Sequence, residues 1–452
     1  MSWQEQVSHP TPFFSWGADY RLRQEYLRDV FDFTDDDRVV NPGGHKDNRN
    51  VIRNRARLWT KFGPFLGTGS TEVPSGLSFY ARFLYGPRYY LDAEFGRDYP
   101  NPQWDEVVFD NLYAEWLRIG GGPVSLRIGR QDFLDFGRGF VIMDGTPLDA
   151  SRTAYNDAIR ATIHFDSIKS TLDLFAADNK GEQDDRLRPL SYDHLAVNEY
   201  DTHALGAYFK YKQIKDTEID FYYIYAHEKP IDEVMPFSTT RYDARFVKEL
   251  IHTVGTMVQG KVGKNWDYYA ELAGQWGEHG KQSRRASAFS SDLGYTFDAP
   301  MKPRIHGGYE FMSGDDPHTG RYEGWDPVLG RWPRWTELLG YRSAKEYGRP
   351  YYFTNNQRFV VGAGVKPAKG LTVSFDYSYL RVDEHEPGSP GHCRGNLFLG
   401  VISYDISENL TSRIWAEYFK PGSYFAGDHD PALFLQWQMI LTFPAPSKKK
   451  GG

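Results

Sequence analysis

The chain has 452 residues, a formal net charge of -7, 44 glycines, 31 tyrosines, 30 phenylalanines, 12 tryptophans and one cysteine. The negative charge argues against general nucleic-acid binding, the lone Cys393 excludes an intrachain disulfide or a cysteine-based metal site, and the lack of an apolar run of roughly 18 residues excludes a helical membrane span. Aromatics at 16% beside a mean hydropathy of -0.61 instead suit a transmembrane β-barrel, whose lipid face takes half of each strand while lumen and loops stay wet.

Residues 1–16, with His9, Pro10, Pro12 and Trp16, read as an irregular lead-in, residues 17–443 as the barrel and residues 444–452 as a tail. No signal peptide precedes the first strand; an exported protein needs one, so a mature chain with an added or retained Met1 is expected. Strand one is predicted over about Gly17 to Arg28, with Ala18, Tyr20, Leu22 and Tyr26 on one face and Asp19, Arg21, Arg23 and Glu25 on the other. After an acidic, then Gly/Asn-rich loop, strand two (about Asn50 to Phe62) sets Arg53, Arg55 and Arg57 opposite Ile52, Ala56 and Leu58. Strand three (about Gly76 to Leu91) turns Leu77, Phe79, Ala81, Phe83 and Tyr85 outward and Arg82 inward. Strand four (about Val107 to Arg118) turns Leu112, Ala114 and Trp116 outward and Asn111, Tyr113 and Glu115 inward.

The Gly120–Pro123 turn leads to strand five, with Val124, Leu126 and Ile128 opposite Ser125 and Arg127. A longer loop from Phe133 to Ala154 carries apolar residues and Gly137-Arg138-Gly139. Strand six opposes Ile159, Ala161 and Ile163 to Arg160, Thr162 and His164. The same parity gives strand seven and further strands near 202–213, 217–228, 247–262, 264–277, 286–297, 303–313, 356–366, 371–382, 393–406, 409–420 and 431–443. The last is the clearest: Leu433, Leu435, Trp437, Met439, Leu441 and Phe443 alternate with Gln436, Gln438 and Thr442, long enough for the roughly 9–11 residues a tilted span needs. The total is about eighteen, an even number, as in bacterial single-chain barrels.

Connection lengths alternate. Gly120–Pro123, Asp166–Lys169, Gln213–Asp216, Gly263, Pro367–Gly370 and Ser407–Asn409 are short; 133–154, 179–201, 229–246, 314–355, 383–392 and 421–430 are long. With both termini periplasmic, short turns fall in the periplasm and long loops outside, the order outer-membrane barrels keep. The fold class is therefore all-β, a transmembrane antiparallel barrel in the bacterial outer membrane, contacting outer-membrane lipid.

A charge on the lipid side near the midplane costs about 2–4 kcal/mol, so charges in these strands must face the lumen. The inward set is Arg21, Arg23, Arg53, Arg55, Arg57, Arg82, Arg127, Arg160, Arg304, Arg358, Arg394 and Arg413. Guanidinium forks suit carboxylates, and charged rings in pores select the opposite sign; these residues are read as pore lining that binds anionic solutes. The competing reading is a wall stiffened by cross-strand pairs with Asp19, Glu25, Glu115, Asp173, Asp267 or Glu417.

The segment Leu126-Arg127-Ile128-Gly129-Arg130-Gln131 resembles the R-x-G-R-Q strand end of the alginate-export outer-membrane barrels, and Tyr418-Phe419-Lys420-Pro421-Gly422 resembles their F-K-P-G turn. The resemblance implies a monomeric eighteen-stranded channel with an electropositive constriction that passes an anionic polysaccharide, working with periplasmic secretion components. Arg127 and Arg130 match the motif, though Arg130 has lumenal parity only if a bulge re-aims it. The family's long periplasmic turn before the penultimate strand is reduced here to Ser407–Asn409, so a plug would have to come from outside. Loop 314–355, with Trp325, Trp332, Trp335 and a short helix around Trp335–Tyr341, is the candidate, its aromatics either stacking on sugar rings or packing on themselves.

No phosphate loop, G-x-S-x-G elbow or HExxH motif is present, and the chain is read as a channel, with no enzyme activity and no cofactor or metal implied. The acidic loops Asp315-Asp316, Asp383–Glu386 and Asp428-His429-Asp430 lack EF-hand spacing. The first functional reading is a conduit for anionic polysaccharide or its oligomers; the others are a diffusion porin for small anions or sugars and a structural or adhesive barrel. Replacing Arg53→Glu together with Arg55→Glu is expected to reduce or invert anion preference in planar bilayers, and unchanged ion selectivity would count against the lining assignment.

Overall fold

A wall in contact with hydrocarbon can leave no strand edge unpaired, and the chain meets this by closing on itself. The computed structural model describes residues 3–446 apart from 31–32, 34–47, 68–73, 92–101, 103, 134, 139, 141–154, 183–186, 189, 191–199, 232–245, 331–333, 348–351, 386–387 and 428. The strands are β1 (Phe14–Arg28), β2 (Arg49–Phe65), β3 (Gly76–Tyr85), β4 (Arg88–Tyr90), β5 (Val107–Leu117), β6 (Val124–Gln131), β7 (Asn156–Phe165), β8 (Ser170–Asn179), β9 (Tyr200–Tyr211) and β10 (Thr217–Pro230). They continue with β11 (Glu249–Val262), β12 (Trp266–His279), β13 (Gln282–Thr296), β14 (Arg304–Met312), β15 (Arg321–Tyr322), β16 (Asn356–Ala368), β17 (Leu371–Arg381), β18 (Cys393–Asp405), β19 (Leu410–Pro421) and β20 (Ala432–Phe443).

Each wall strand pairs antiparallel with the next, and β20 closes on β1 from Ala18↔Phe443 to Arg28↔Leu433. β4 continues β3 along β2, and β15 lies parallel on β13. The remaining eighteen strands form the closed barrel. Short turns gather at the end that carries both termini, which in such barrels is periplasmic. One connection departs from the alternation: β12 and β13 meet at the opposite end in a tight turn, where Gly280 takes φ +59°. The lead-in also departs from an irregular path. Trp3–Ser8 form a helix, α1, whose Gln4 bonds both Asn409 in the β18–β19 turn and the backbone of Ala445.

Parity sorts the faces as read from the sequence. Tyr20, Leu58, Leu205, Leu272, Leu293 and Val361 are exposed on the outer wall, while Phe62, Phe65, Trp266 and Phe297 stand near the short-turn rim. The inside is less polar than expected. Phe33, Phe133, Phe136, Trp325, Leu338, Leu339 and Phe353, all from the long loops, are buried against Phe175, Tyr208, Ile224, Trp415, Phe419 and Phe434 of the wall. Long loops have folded into the barrel and built a core there. Each such side chain removed from water contributes about 1.5–3 kcal/mol, which offsets the entropy of ordering the loops.

Leu272, at the middle of β12 and 55% exposed on the outer face, gives a direct test of the lipid boundary. Leu272→Arg is expected to cost about 2–4 kcal/mol in folding into phospholipid vesicles, read from the shift in the urea transition.

Candidate functional site

The lumenal face of β1 and β2 concentrates positive charge. The register sets Arg21 opposite Arg55, Arg23 opposite Arg53 and Asp19 opposite Arg57. Like charges placed directly across a ladder are unfavourable, and two carboxylates relieve this. Glu25 accepts from Arg23 at 3.0 Å and Arg53 at 2.9 Å, while Asp19 accepts from Arg57 at 2.7 Å and Arg55 at 3.4 Å. The closing strands add neutral acceptors: Gln438 takes Arg23 at 3.0 Å and Gln436 takes Arg413 at 2.8 Å. Arg21, Arg23, Arg53 and Arg55 are 3% exposed or less, so at this level the arginine face meets protein, not an open pore.

What meets it is the β15–β16 loop and its helix α2 (Leu338–Tyr347). The Tyr341 hydroxyl donates to Glu25 at 3.0 Å and accepts from Arg53 at 3.3 Å. Ahead of the helix, Glu417 of β19 accepts from the Glu337 backbone N–H at 2.7 Å, from the Trp415 indole at 2.6 Å and from the Thr336 hydroxyl. Thr336 in turn caps Leu339 N–H at 3.2 Å. An anion at a helix N-terminus complements its dipole. Trp335 donates to Glu310 at 3.2 Å and lies under Arg358, whose Nε donates to Ser378. Arg394 ion-pairs with Glu346 at 3.1 Å. The helix expected around Trp335–Tyr341 therefore starts later, and its loop packs inside the barrel; Trp332 lies outside the described residues.

A second segment enters from the β6–β7 connection. Arg82 binds Asp110 at 2.8 Å and Asp132 at 2.9 Å, fixing the start of that loop. Phe133 and Phe136 pack on Phe175, and Phe136 packs edge-on to Tyr208. Between them Asp135 bridges Arg160 at 2.9 Å and Lys210 at 2.6 Å. Burial alone would raise the Asp135 carboxyl, but hydrogen bonds and charge from Arg160 and Lys210 outweigh it and hold it well below the usual carboxylate range. Farther on, Arg138 donates to Gln259 at 2.9 Å and covers Tyr269, and Phe140 stacks on Trp325 at 5.8 Å. The two inserted segments thus touch and narrow the lumen together.

Not every arginine read as lumenal is so. Arg130 pairs in register with Leu112 and Asp157, on the outward face that carries Ile128 and Ile159, and binds Asp157 at 2.8 Å over the Tyr155 ring. Gly129, at φ +125°, leaves the parity of β6 unchanged, so the expected re-aiming does not occur. Arg130 is corrected to an outer-face ion pair. Other residues of the two motifs hold structure: Gln131 bonds the Ala158 carbonyl, and Phe419 is buried against Phe33.

Water-reached cations lie elsewhere. Arg57, Arg127 and Arg304 keep side-chain exposures of 15, 26 and 33%, Arg127 bound to Glu115 and Arg304 to Asp267 and Asp292. Lys61, on the Arg57 face of β2, is half-buried; the alternation of β2 places it there, though a lone lysine among arginines carries no motif of its own. The lumen is polarised across its width. Arg21, Arg23, Arg53, Arg55, Arg57, Lys61, Arg82 and Arg127 outnumber the acids on β1–β6, while Asp220, Glu228, Glu249, Asp267, Glu271, Asp292 and Glu310 dominate β10–β14. Tyrosines supply the acidic side with donors: Tyr208 to Asp220, and Tyr222 and Tyr269 to Glu271. Buried Glu228, Glu249 and Asp326 come within 4.8 Å of one another, with Arg284 ion-paired to Glu249. In two of the acidic loops a carboxylate meets backbone: Asp315 accepts from Glu323 N–H and Asp383 from Gly314 N–H.

The family model described as "Alginate export" matches residues 88–385, more than half of the chain. This chain belongs to the alginate export family. No curated protein matches it in sequence. Among solved structures it is similar to a BenF-like porin from Pseudomonas fluorescens Pf-5, at 12% identity and TM-score 0.55, covering 95% of this chain and 99% of that one. It is also similar to OccD3 (OpdP) of Pseudomonas aeruginosa, at 10% and 0.55 over 95% and 91%, and to OccK11 (OpdR) of the same organism, at 13% and 0.54 over 95% and 96%. These likenesses show the fold, a closed antiparallel β-barrel of the kind those porins have.

The latch on α2 is testable. Glu417→Ala removes the two hydrogen bonds that hold the loop, from the Thr336 hydroxyl and the Glu337 N–H, and is expected to weaken loop insertion by about 1–3 kcal/mol, at roughly 0.5–1.5 kcal/mol for each bond. Single-channel recording should show larger or more frequent openings, whereas Tyr341→Phe, which spares Glu417, should change conductance far less.

Proposed function

We propose that this protein is an outer-membrane channel for acidic saccharide chains, the substrate class to which the family's description points. The observation that carries this reading is the charge of one wall. On the lumenal faces of β1, β2 and β3, the cations Arg21, Arg23, Arg53, Arg55, Arg57, Lys61 and Arg82 outnumber the acids of those faces, Asp19 and Glu25, while Asp110 and Asp132 beside them hold Arg82. Even where these cations are paired or covered, the surplus acts across a lumen of lower effective dielectric than water, and it favours carboxylates. Among the described residues, Arg57, Lys61 and Arg127 are cations of that arc that a passing solute can reach. Arg160, Arg358 and Arg413 serve instead to anchor the inserted segments and the seam.

A second reading has its own support. The two inserted segments and the short 406–409 turn favour a substrate-selective porin for short acidic sugars over a wide conduit for a long polymer. The arginine surplus is common to both, and chain length separates them.

The test is ion selectivity with saccharide block. Wild-type channels in planar bilayers should prefer chloride to potassium and be blocked by oligogalacturonates more than by neutral malto-oligosaccharides. Arg57→Glu with Lys61→Glu is expected to shift the reversal potential toward cation preference. An equal response of wild type to charged and neutral oligomers would rule the reading out.

A further inference from the structure

One stretch of the reachable wall holds an ordered row of unused donors. Trp59, Tyr80 and Tyr113 stack across β2, β3 and β5 with ring centroids 6.2 and 5.0 Å apart and planes within 18° and 19° of parallel. The Arg127 guanidinium covers the far face of Tyr113 at 4.6 Å. At the other end the Trp59 ring lies on Gly17, where an added Cβ would come within 2.5 Å of it. The ring faces are therefore taken, and what the tyrosines present is their hydroxyl edges. Neither hydroxyl has a hydrogen-bond partner among the described residues, and neither is a buried atom. Lys61 stands directly across from Tyr80, and Tyr80 across from Tyr113. Lys61 likewise has no ion-pair partner among the described residues. The wall thus offers an ammonium, two phenol hydroxyls and a partly committed guanidinium in sequence.

We propose that Lys61, Tyr80, Tyr113 and Arg127 form a saccharide-binding track on the lumen wall, which takes the hydroxyl and carboxylate edges of an acidic sugar chain. This deepens the channel reading above and rests on it. Neighbouring strands are about 4.8 Å apart, close to the length of one sugar ring, so successive rings can meet successive donors. Barrel strands tilt about 35–45°, so a row running across them climbs the lumen obliquely and carries a chain along the axis. Because the ring faces are covered, recognition runs through hydrogen bonds and charge, not through stacking of sugar faces on aromatics. The track therefore discriminates by acidity and hydroxyl pattern.

The double variant Tyr80→Phe, Tyr113→Phe keeps the stack and every charge and removes only the two hydroxyls. In planar bilayers the expected result is block by a galacturonate hexamer about tenfold weaker than in wild type, through faster dissociation, with the chloride-to-potassium preference unchanged. Lys61→Met should weaken the same block and lower anion preference as well. Unaltered block kinetics in the Tyr double variant, in channels whose wild type is blocked, would overturn the track and leave the channel reading standing. Absence of block in the wild type would overturn both.

Discussion

Hydrocarbon offers no hydrogen bonds, and that single constraint shapes the rest of the molecule. It forces each backbone N–H and C=O of the wall into a ladder and therefore forces β20 onto β1. It also forces a period of two on the side chains, since what faces lipid must be apolar. Most of the charge that the strands carry is consequently delivered to the inside, and the Arg130–Asp157 pair on the outer face is neutralised where it stands. The lumen is crowded with arginines and carboxylates because the outside cannot accept them, and the ion pairs seen along β1, β2 and β5–β9 answer the problem this creates.

The same constraint explains which features were readable from sequence alone. Strand positions and faces were legible, down to the opposition of Leu433, Leu435 and Trp437 to Gln436 and Gln438, because lipid imposes alternation on neighbouring residues. The loops obey no such rule. Phe133 and Phe136 read only as apolar residues in a long connection; nothing local told that they would pack on Phe175 and Tyr208. Asp135 gave no signal at all, because its partners, Arg160 and Lys210, lie on strands it meets only in three dimensions. Glu417 read as one of several wall acids, although it holds the N-terminus of a helix far away in the chain. Arg130 was misplaced because its motif suggested the lumen while its parity said otherwise, and parity prevailed.

Arginine has two uses here, and burial separates them. Arg21, Arg23, Arg53 and Arg55 are covered, and the last three hold shape through Glu25, Asp19 and Gln438. Arg57 and Arg127 keep part of their surface in the lumen. A barrel that needed only stiffness would pair cation with anion evenly around its girth. This one leaves the surplus on one side, beside the aromatic stack, and the channel reading proposed above rests on that asymmetry.

The opposite arc matters for the same reason. With guanidinium groups along β1–β6 and carboxylates along β10–β14, the electric field points across the channel, from one wall to the other, instead of along its axis. A passenger carrying charge at one edge feels a torque before it feels a pull. Under the channel reading proposed above, an acidic saccharide would enter with its carboxylate edge turned toward β2 and β3, so that the wall sets its orientation.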